Sequence, residues 1–394
     1  MDYDFIFAGG GLSGLMLAYH LARSPLREAS MLIVDRDAKN RNDRTWCYWT
    51  KESTPFDKIA QREWKHIRLV GDYFEKEIDL GDYHYQMIRG IDFYRFVQQD
   101  LGTFPNIRFM QATVDAIQEE GNHARVLVNG QSVTARWVFD SRFDWKRFNP
   151  DQAHMLRQYF VGWEIETSEE AFDPEIPTLM DFRTPQKQAM RFFYMLPFSK
   201  RRALVEYVTL ARDHYNDALR NYIERELGIG AYKIVATEGG VNPMTDYAVT
   251  RRADKHILNI GTRGGRIKPS TGFAFTRIQR DSEAIVQSLV AHSHPFDLPS
   301  DSRRYRYFDT LMLDVMQRHG DQIQSIFTAL FTNNPIERVL RLLDEEGSLI
   351  ENAQLIASLP PKLFLEAIAT SSLSSHGSAR SREMGEIMEM KEIE

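Results

Sequence analysis

Tyr3-Asp-Phe-Ile-Phe-Ala-Gly-Gly-Gly-Leu-Ser-Gly14 decides the fold. Tyr3 to Ala8 is a short apolar run of strand type, broken by Gly9, Gly10 and Gly11. From Leu12 to about Arg23, the apolar residues Leu15, Ala18, Leu21 and Ala22 recur at helical spacing. Met31 to Val34 is a second apolar run, closed by Asp35. Strand, glycine turn, helix and strand make a βαβ opening. Within it, Gly9-x-Gly11-x-x-Gly14 stands where a dinucleotide motif requires it, between strand and helix. The first glycine makes the turn, the second lets backbone approach a pyrophosphate, and the third lets helix and strand pack closely. The helix start at Leu12 and Ser13 offers free N–H groups and partial positive charge to phosphates. Asp35 ends the second strand, where a carboxylate accepts hydrogen bonds from ribose hydroxyls, and Arg36 follows it. Such a motif serves NAD as well as FAD, and a tight turn without a ligand is the plain alternative.

Outward from this opening, Ile91 to Leu101 reads as a helix, followed by strands Gln111 to Glu119, Ala124 to Val128 and Gln131 to Arg136. The last two flank Asn129-Gly130, a two-residue hairpin signal. Trp137 to Asp140 is a further strand that runs into Ser141 and Arg142. Between residues 150 and 250 the texture changes, with strand-like runs at Tyr159–Glu166, Thr178–Arg183, Arg191–Leu196 and Ala203–Leu210. A strand at Lys255–Gly261 re-enters a glycine turn, Gly261-Thr-Arg-Gly-Gly265, and Ser270 to about His292 reads as a helix. The meander and the late glycine turn favour FAD over NAD.

The expected architecture is therefore α/β (α+β). A Rossmann-type FAD-binding domain of the glutathione-reductase or p-hydroxybenzoate-hydroxylase kind spans 1–150 and 251–295. An antiparallel-sheet substrate domain is inserted at 151–250. A helical region follows at 296–370, and a Ser-rich, charged and mobile tail at 371–394.

Bulk properties narrow the function. The 394 residues carry a net charge of −6, with both signs spread along the chain and no basic stripe, so nucleic acid is not an expected partner. Cys47 is the single cysteine, which excludes an internal disulfide and a thiolate zinc site. No metal site is expected. The N-terminus has no basic leader followed by an apolar run, and no stretch of about 18 apolar residues occurs. A cytoplasmic protein is expected, one that meets any lipid-soluble substrate at the membrane surface. Arg303 to Phe308 and Leu355 to Ile368 are candidates for that contact, with ordinary helix packing as the alternative.

Several blocks, in order, resemble those of the bacterial lycopene cyclases. They are Arg44-Thr-Trp-Cys-Tyr-Trp49, Tyr85 to Val97, Asp140-Ser-Arg142, Leu179-Met-Asp-Phe-Arg183, Tyr194-Met-Leu-Pro-Phe198, Ala203-Leu-Val-Glu-Tyr207, Glu238 to Met244 and Lys268-Pro-Ser-Thr-Gly-Phe273. Asn242 departs from the pattern, because an apolar residue is expected there. The resemblance implies a reaction without net redox change. A proton adds to the terminal double bond of a linear carotene, a neighbouring double bond attacks the cation, and proton loss leaves a β-ionone ring. It also implies lycopene as substrate, reduced FAD as cofactor and NADPH as the source of electrons. The number of rings closed and the oligomeric state stay open.

Glu206 matches the essential acid of that family. If its segment is a strand, it shares a face with Leu204, Val208 and Leu210. An acid among apolar neighbours resists ionisation and keeps a proton to give. Aromatic faces and a negatively charged reduced flavin would stabilise the cation, and Trp163, Phe192, Phe193, Tyr194 and Tyr207 are the candidate rings. A surface acid is the bland alternative for Glu206. Asp181 and Arg183, two residues apart, are either a network that serves the acid or an ordinary ion pair. Glu238 is a second acid or a structural contact. Arg44, Asp140, Gly261, Gly264, Gly265, Pro269, Thr271 and Gly272 complete the expected cofactor-binding set. Two other classes stay in play. One is a redox flavoenzyme such as a monooxygenase, halogenase or isoprenoid reductase, and the other is a carotenoid- or flavin-binding protein without activity.

Overall fold

A computed structural model describes residues 1–147 and 153–369. The expected boundary at 150/151 and the expected tail at 371–394 lie outside these residues. The chain opens with β1 (Tyr3–Ala8), α1 (Leu12–Leu21) and β2 (Met31–Asp35). Five strands that the sequence reading did not mark follow: β3 (Thr45–Thr50), β4 (Arg62–Trp64), β5 (His66–Gly71), β6 (Phe74–Asp79) and β7 (His84–Arg89). Then come α2 (Gly90–Leu101), β8 (Ile107–Gln111), β9 (Val114–Glu120), β10 (His123–Val128) and β11 (Gln131–Asp140).

Nothing breaks the chain between Arg136 and Trp137, so two expected strands are one. The first half of β11 pairs antiparallel with β10, and its second half runs parallel to β1. The hairpin at Asn129-Gly130 forms as expected, with both residues at positive φ. In β1 the side chains alternate between two buried surfaces. Phe5 and Phe7 meet the helical layer of α1 and α2, while Ile6 and Ala8 meet the meander. Burial on both faces is what a parallel strand demands, and it explains the unbroken apolar run.

The second unit is built from β12 (Met155–Thr167), β13 (Thr178–Asp181), β14 (Arg191–Ser199), β15 (Arg202–Thr209), α3 (Tyr215–Asn221) and β16 (Tyr232–Thr245). Its sheet has seven strands in the order β16-β12-β15-β14-β13-β5-β6. Two of them, β5 and β6, come from residues 66–79, outside the 151–250 range expected of this sheet. The reason is that β5 adds parallel to β13, a long-range pairing without a local turn signal. The 14-residue β16 was also illegible in sequence, since Gly239, Gly240 and Pro243 read as breakers. It is an edge strand, where proline is tolerated.

Short strands β17 (Arg252–Asp254) and β18 (Ile257–Asn259) return the chain to the first sheet, whose order is β17-β18-β11-β1-β2-β8 with β9 and β10 appended. The expected helix from Ser270 starts later, as α4 (Phe275–His292), because residues 268–273 close a tight turn with Gly272 at φ +80°. α5 (Arg303–Arg318), α6 (Ile323–Thr332), α7 (Ile336–Leu343) and α8 (Leu349–Ala357) follow.

These last helices cover one face of the seven-stranded sheet, with Leu313, Ile323, Phe327 and Val339 against Leu179, Phe192, Leu204 and Val208. α3 covers the other face, against Trp163, Val205 and Tyr207. A buried ion network joins the C-terminal part to the 268–273 turn. Lys268 Nζ lies 3.0 Å from Asp309 on α5 and 2.9 Å from Glu345, and Arg277 also meets Glu345. Among the described residues no helix is long and apolar enough to cross a membrane.

On the α3 face, Phe193 is clasped between Tyr207 and Tyr222, at centroid separations of 4.8 and 3.9 Å. Phe193→Ala is expected to lower the unfolding free energy by about 3–5 kcal/mol, as core aromatic truncations do. Urea denaturation measures it, and a loss below about 1 kcal/mol would mean that this face repacks freely.

Candidate functional site

One cavity runs from the first glycine turn to Glu206. Gly11, Leu12 and Ser13 lie at one end, Thr271 and Gly272 flank it, and Tyr194, Leu204, Glu206 and Val208 close the other end. The glycines of the first turn divide the work as expected. A Cβ on Gly14 would collide with the Gly9 carbonyl oxygen, whereas one on Gly11 would meet nothing within 4 Å. The backbone at Gly11 therefore lies open toward the cavity, ahead of the α1 N-terminus, which no side chain caps.

Asp35 is already engaged. Its Oδ2 accepts the Gly10 N–H at 2.7 Å and its Oδ1 the Asp37 N–H at 2.8 Å, with Lys39 Nζ 3.6 Å away. Each oxygen keeps a lone pair for a further hydroxyl. Arg36 is exposed, outside the cavity. Arg44 lines it and pairs with Asp43 at 3.1 Å.

The second glycine turn packs on the first, because Gly261 abuts the Ser13 side chain. Gly264, Gly265 and Pro269 line a separate depression on the far side of this loop, so they do not share the cavity. Asp140 is buried under two guanidinium groups, Arg142 at 2.9 Å and Arg263 at 3.0 Å, and fixes the start of the loop after β11. Thr271 is bound through its carbonyl by Gln158 Nε2 at 3.2 Å, and Gln158 Oε1 in turn accepts from Asn242 Nδ2 at 3.2 Å. This explains the polar Asn242. It pairs with Gln158 across β16 and β12 and orients the amide that ties the sheet to the 271–272 turn.

The chemistry concentrates in one row across four strands. Tyr194 on β14 faces Glu206 on β15, which faces Gly162 on β12, which faces Glu238 on β16. Gly162 has no side chain to separate the two acids. A Cβ there would lie 2.9 Å from Leu204 Cδ1, 3.1 Å from Glu238 Cγ and 3.6 Å from Glu206 Cβ. The side chains of the two acids therefore approach each other over the glycine, near enough for the charge of Glu238 to bear on Glu206.

Glu238 is buried, and its Oε2 accepts from Asn42 Nδ2 at 2.7 Å and Thr45 Oγ1 at 2.8 Å. Glu206 keeps some surface because it faces the cavity. Even so, protein encloses it, and burial drives its carboxyl well above the usual range, helped by the charge of Glu238 and opposed by Arg44. Burial raises Glu238 too, against the opposing pull of the hydrogen bonds it receives from Thr45 and Asn42. Burial thus pushes both carboxyls above the usual range, Glu206 well above it.

Asp181 and Arg183 are not part of this row. Asp181 is buried, paired with Arg183 at 2.6 Å and bound by Tyr222 Oη at 2.7 Å beneath α3. In register it faces Phe193, whose side chain belongs to the α3 face, opposite to Glu206. Of the candidate rings, Tyr194 lines the cavity and Phe192 packs on it at 5.1 Å, while Trp163, Phe193 and Tyr207 lie on the α3 face. Sequence reasoning missed Asn42, Gly162 and Gln158. Only Gly162 left a trace, as a glycine inside a strand run, a mark of close approach.

Comparison with known proteins places the chain. The sequence model of the family described as lycopene cyclase protein matches residues 4–369. A lycopene beta-cyclase of Paracoccus sp. is 27% identical over 296 residues, covering 70% of each chain. One of Pantoea ananas is 24% identical over 288 residues, covering 69% of this chain and 71% of that one. In fold, the chain is similar to a triple-mutant form of the flavin-dependent brominase Bmp2. The TM-score is 0.61 at 15% identity, covering 94% of this chain and 99% of that one.

The raised Glu206 carboxyl links stability to pH. A folded pKa above the unfolded one gives stability that is full below the unfolded value and falls as pH rises toward the folded value. Glu206→Gln removes that fall. The variant should gain on the wild type as pH rises from about 4, by at most about 1.4 kcal/mol per unit. Melting temperatures between pH 4 and 8 measure it, and a constant difference would show that Glu206 ionises as it does in water.

Proposed function

The chain belongs to the lycopene cyclase family, and from that premise we propose that it is a lycopene beta-cyclase, an intramolecular lyase that closes β-ionone rings on linear ψ end groups, by way of γ-carotene to β-carotene. The observation that carries this reading is the cavity itself, which joins an uncapped helix N-terminus and an open glycine turn at one end to an enclosed carboxyl, pushed well above the usual range by burial, at the other.

The residues at the first end fit FAD. Backbone at Gly11, Leu12 and Ser13 would hold the pyrophosphate, Asp35 a ribose, and Thr271 and Gly272 the flavin end. When bound and reduced at the expense of NADPH, the flavin supplies negative charge beside a developing cation. The chain's own residues supply the proton and the walls. Glu206 donates its proton to the terminal alkene. The neighbouring double bond attacks the resulting cation, which closes the ring. The proton then lost from the ring carbon returns to the Glu206 carboxylate, so no atom or electron is gained or lost. Glu238 stays ionised throughout and adds negative charge near the cation. The rings of Phe160, Tyr194 and Phe273 line the same cavity and offer π-faces to it.

Lycopene dissolves in lipid, which favours peripheral contact with a membrane. Tyr305 and Leu355, in the two segments singled out for that role, are buried in helix packing. Tyr307, Ile356, Leu365 and Ile368 of the same segments are exposed, as are Leu349 and Ile350 at the start of α8, and these are the better candidates.

The test is anaerobic conversion of lycopene by flavin-loaded protein with catalytic reduced flavin, with pigments separated by chromatography. Ring closure without oxygen uptake is expected. Glu206→Gln should keep FAD and lose about 10²–10⁴-fold in rate, the span of general acid catalysis. Unchanged lycopene, or a dependence on oxygen and stoichiometric NAD(P)H, would return the protein to the redox flavoenzymes.

A further inference from the structure

We propose that Asn42 and Thr45 are positioning residues that fix the single proton of the Glu206–Glu238 pair on Glu206, by holding Glu238 as the anion. This rests on the reading of Glu206 as the acid.

Two like acids that share a proton have no intrinsic reason to place it on the one that faces the substrate. Both are enclosed, and both lie beside Gly162. Their surroundings differ in donors. Glu238 receives Asn42 Nδ2 and Thr45 Oγ1 on one oxygen, while its other oxygen is buried and without a hydrogen-bond partner among the described residues.

The sense of the Asn42 amide is settled by its far end. Its Oδ1 accepts the Ile91 N–H at 3.3 Å, so its NH₂ must point at Glu238. A group that receives such donors is stabilised as a carboxylate, and hydrogen bonds to charged groups are the strong ones. The donors come from the β2–β3 connection and from β3, which forms a separate three-stranded sheet with β7 and β4, whereas both acids stand on the seven-stranded sheet. Docking of the two sheets therefore sets which acid is charged.

The other polar groups around the pair are few. Arg44 and Cys47 come from β3 and its approach, Tyr85 and Arg89 from β7, Tyr194 from β14, and Glu164 from β12, the last already paired with Arg202. Arg44 opposes the rise of Glu206 but is the weakest of its influences. Burial holds the Cys47, Tyr85 and Tyr194 protons in place, so these three stay neutral.

The test titrates ¹³C-labelled glutamate carboxyls by NMR, with Glu206→Gln and Glu238→Gln assigning the two signals, and follows kcat of flavin-loaded protein against pH. In the wild type, Glu238 ionises first and Glu206 stays protonated through neutrality. Thr45→Val and Asn42→Leu should each raise the first titration step by about one to two pH units. The proton then spreads onto Glu238. kcat near neutral pH falls, by up to about tenfold, and recovers on acidification once both acids are protonated. Thr45→Ser should behave as wild type.

A merely structural role would lower kcat at every pH, with no recovery in acid. That result, or a first step that stays in place in folded variants, overturns the proposal. If Asn42→Leu fails to fold because Ile91 N–H loses its acceptor, the shape-preserving Thr45→Val decides alone. A shifted titration in a chain that closes no ring would sink the cyclase reading and keep this one. Ring closure with an unshifted titration would do the reverse.

Discussion

Two carboxyl groups leaning together over Gly162 organise the rest of this molecule. Their approach needs three adjacent strands in one register, a missing side chain on the middle strand, and donors from outside their sheet to hold one acid charged. A slip of one residue in β12, β15 or β16 would send one member of the row to the α3 face and dissolve the pair. The register of the sheet, the composition of β12 and the docking of the β2–β3 connection thus answer to one short contact. Burying a shared negative charge is costly, and it is tolerated where the remaining polar atoms are satisfied. Asn42 and Thr45 meet that condition for Glu238.

The same contact carries a chemical tension. An acid that keeps its proton at neutral pH is, by that fact, a reluctant donor to an alkene. For the proposed step the cavity offers a second acid beside the first, across Gly162, and aromatic faces on its walls. Cys47 lines the cavity, yet burial raises its thiol far above neutrality, so no thiolate waits to capture a cation.

Much of this was legible in the sequence, for definite reasons. The βαβ opening depends on local signals, an apolar run and three spaced glycines, and local signals survive translation into structure. Glu206 could be placed among Leu204 and Val208 because strand alternation is simple arithmetic. The second acid was visible only as a candidate, since its partnership runs through β16, a strand disguised by two glycines and a proline. β5 and β6 were hidden because they serve a sheet assembled mostly from residues 80 or more positions later. Asp181 and Arg183 misled by proximity. Two residues apart on a strand, they share a face, but sequence does not say which face holds the acid. Asn42 could not be found at all, because a loop asparagine acquires meaning only from what docks against it.

The buried Lys268 network sets a constraint of timing. Lys268 belongs to the turn that flanks the cavity, but the carboxylates that neutralise it, Asp309 and Glu345, arrive 41 and 77 residues later. Until those residues leave the ribosome, the turn would have to carry an unpaired ammonium into a closed interior. The 268–273 turn therefore cannot settle into its buried place before the C-terminal helices have been made. The wall that this turn gives the cavity depends on those helices, and it is finished only when almost all of the chain has been made.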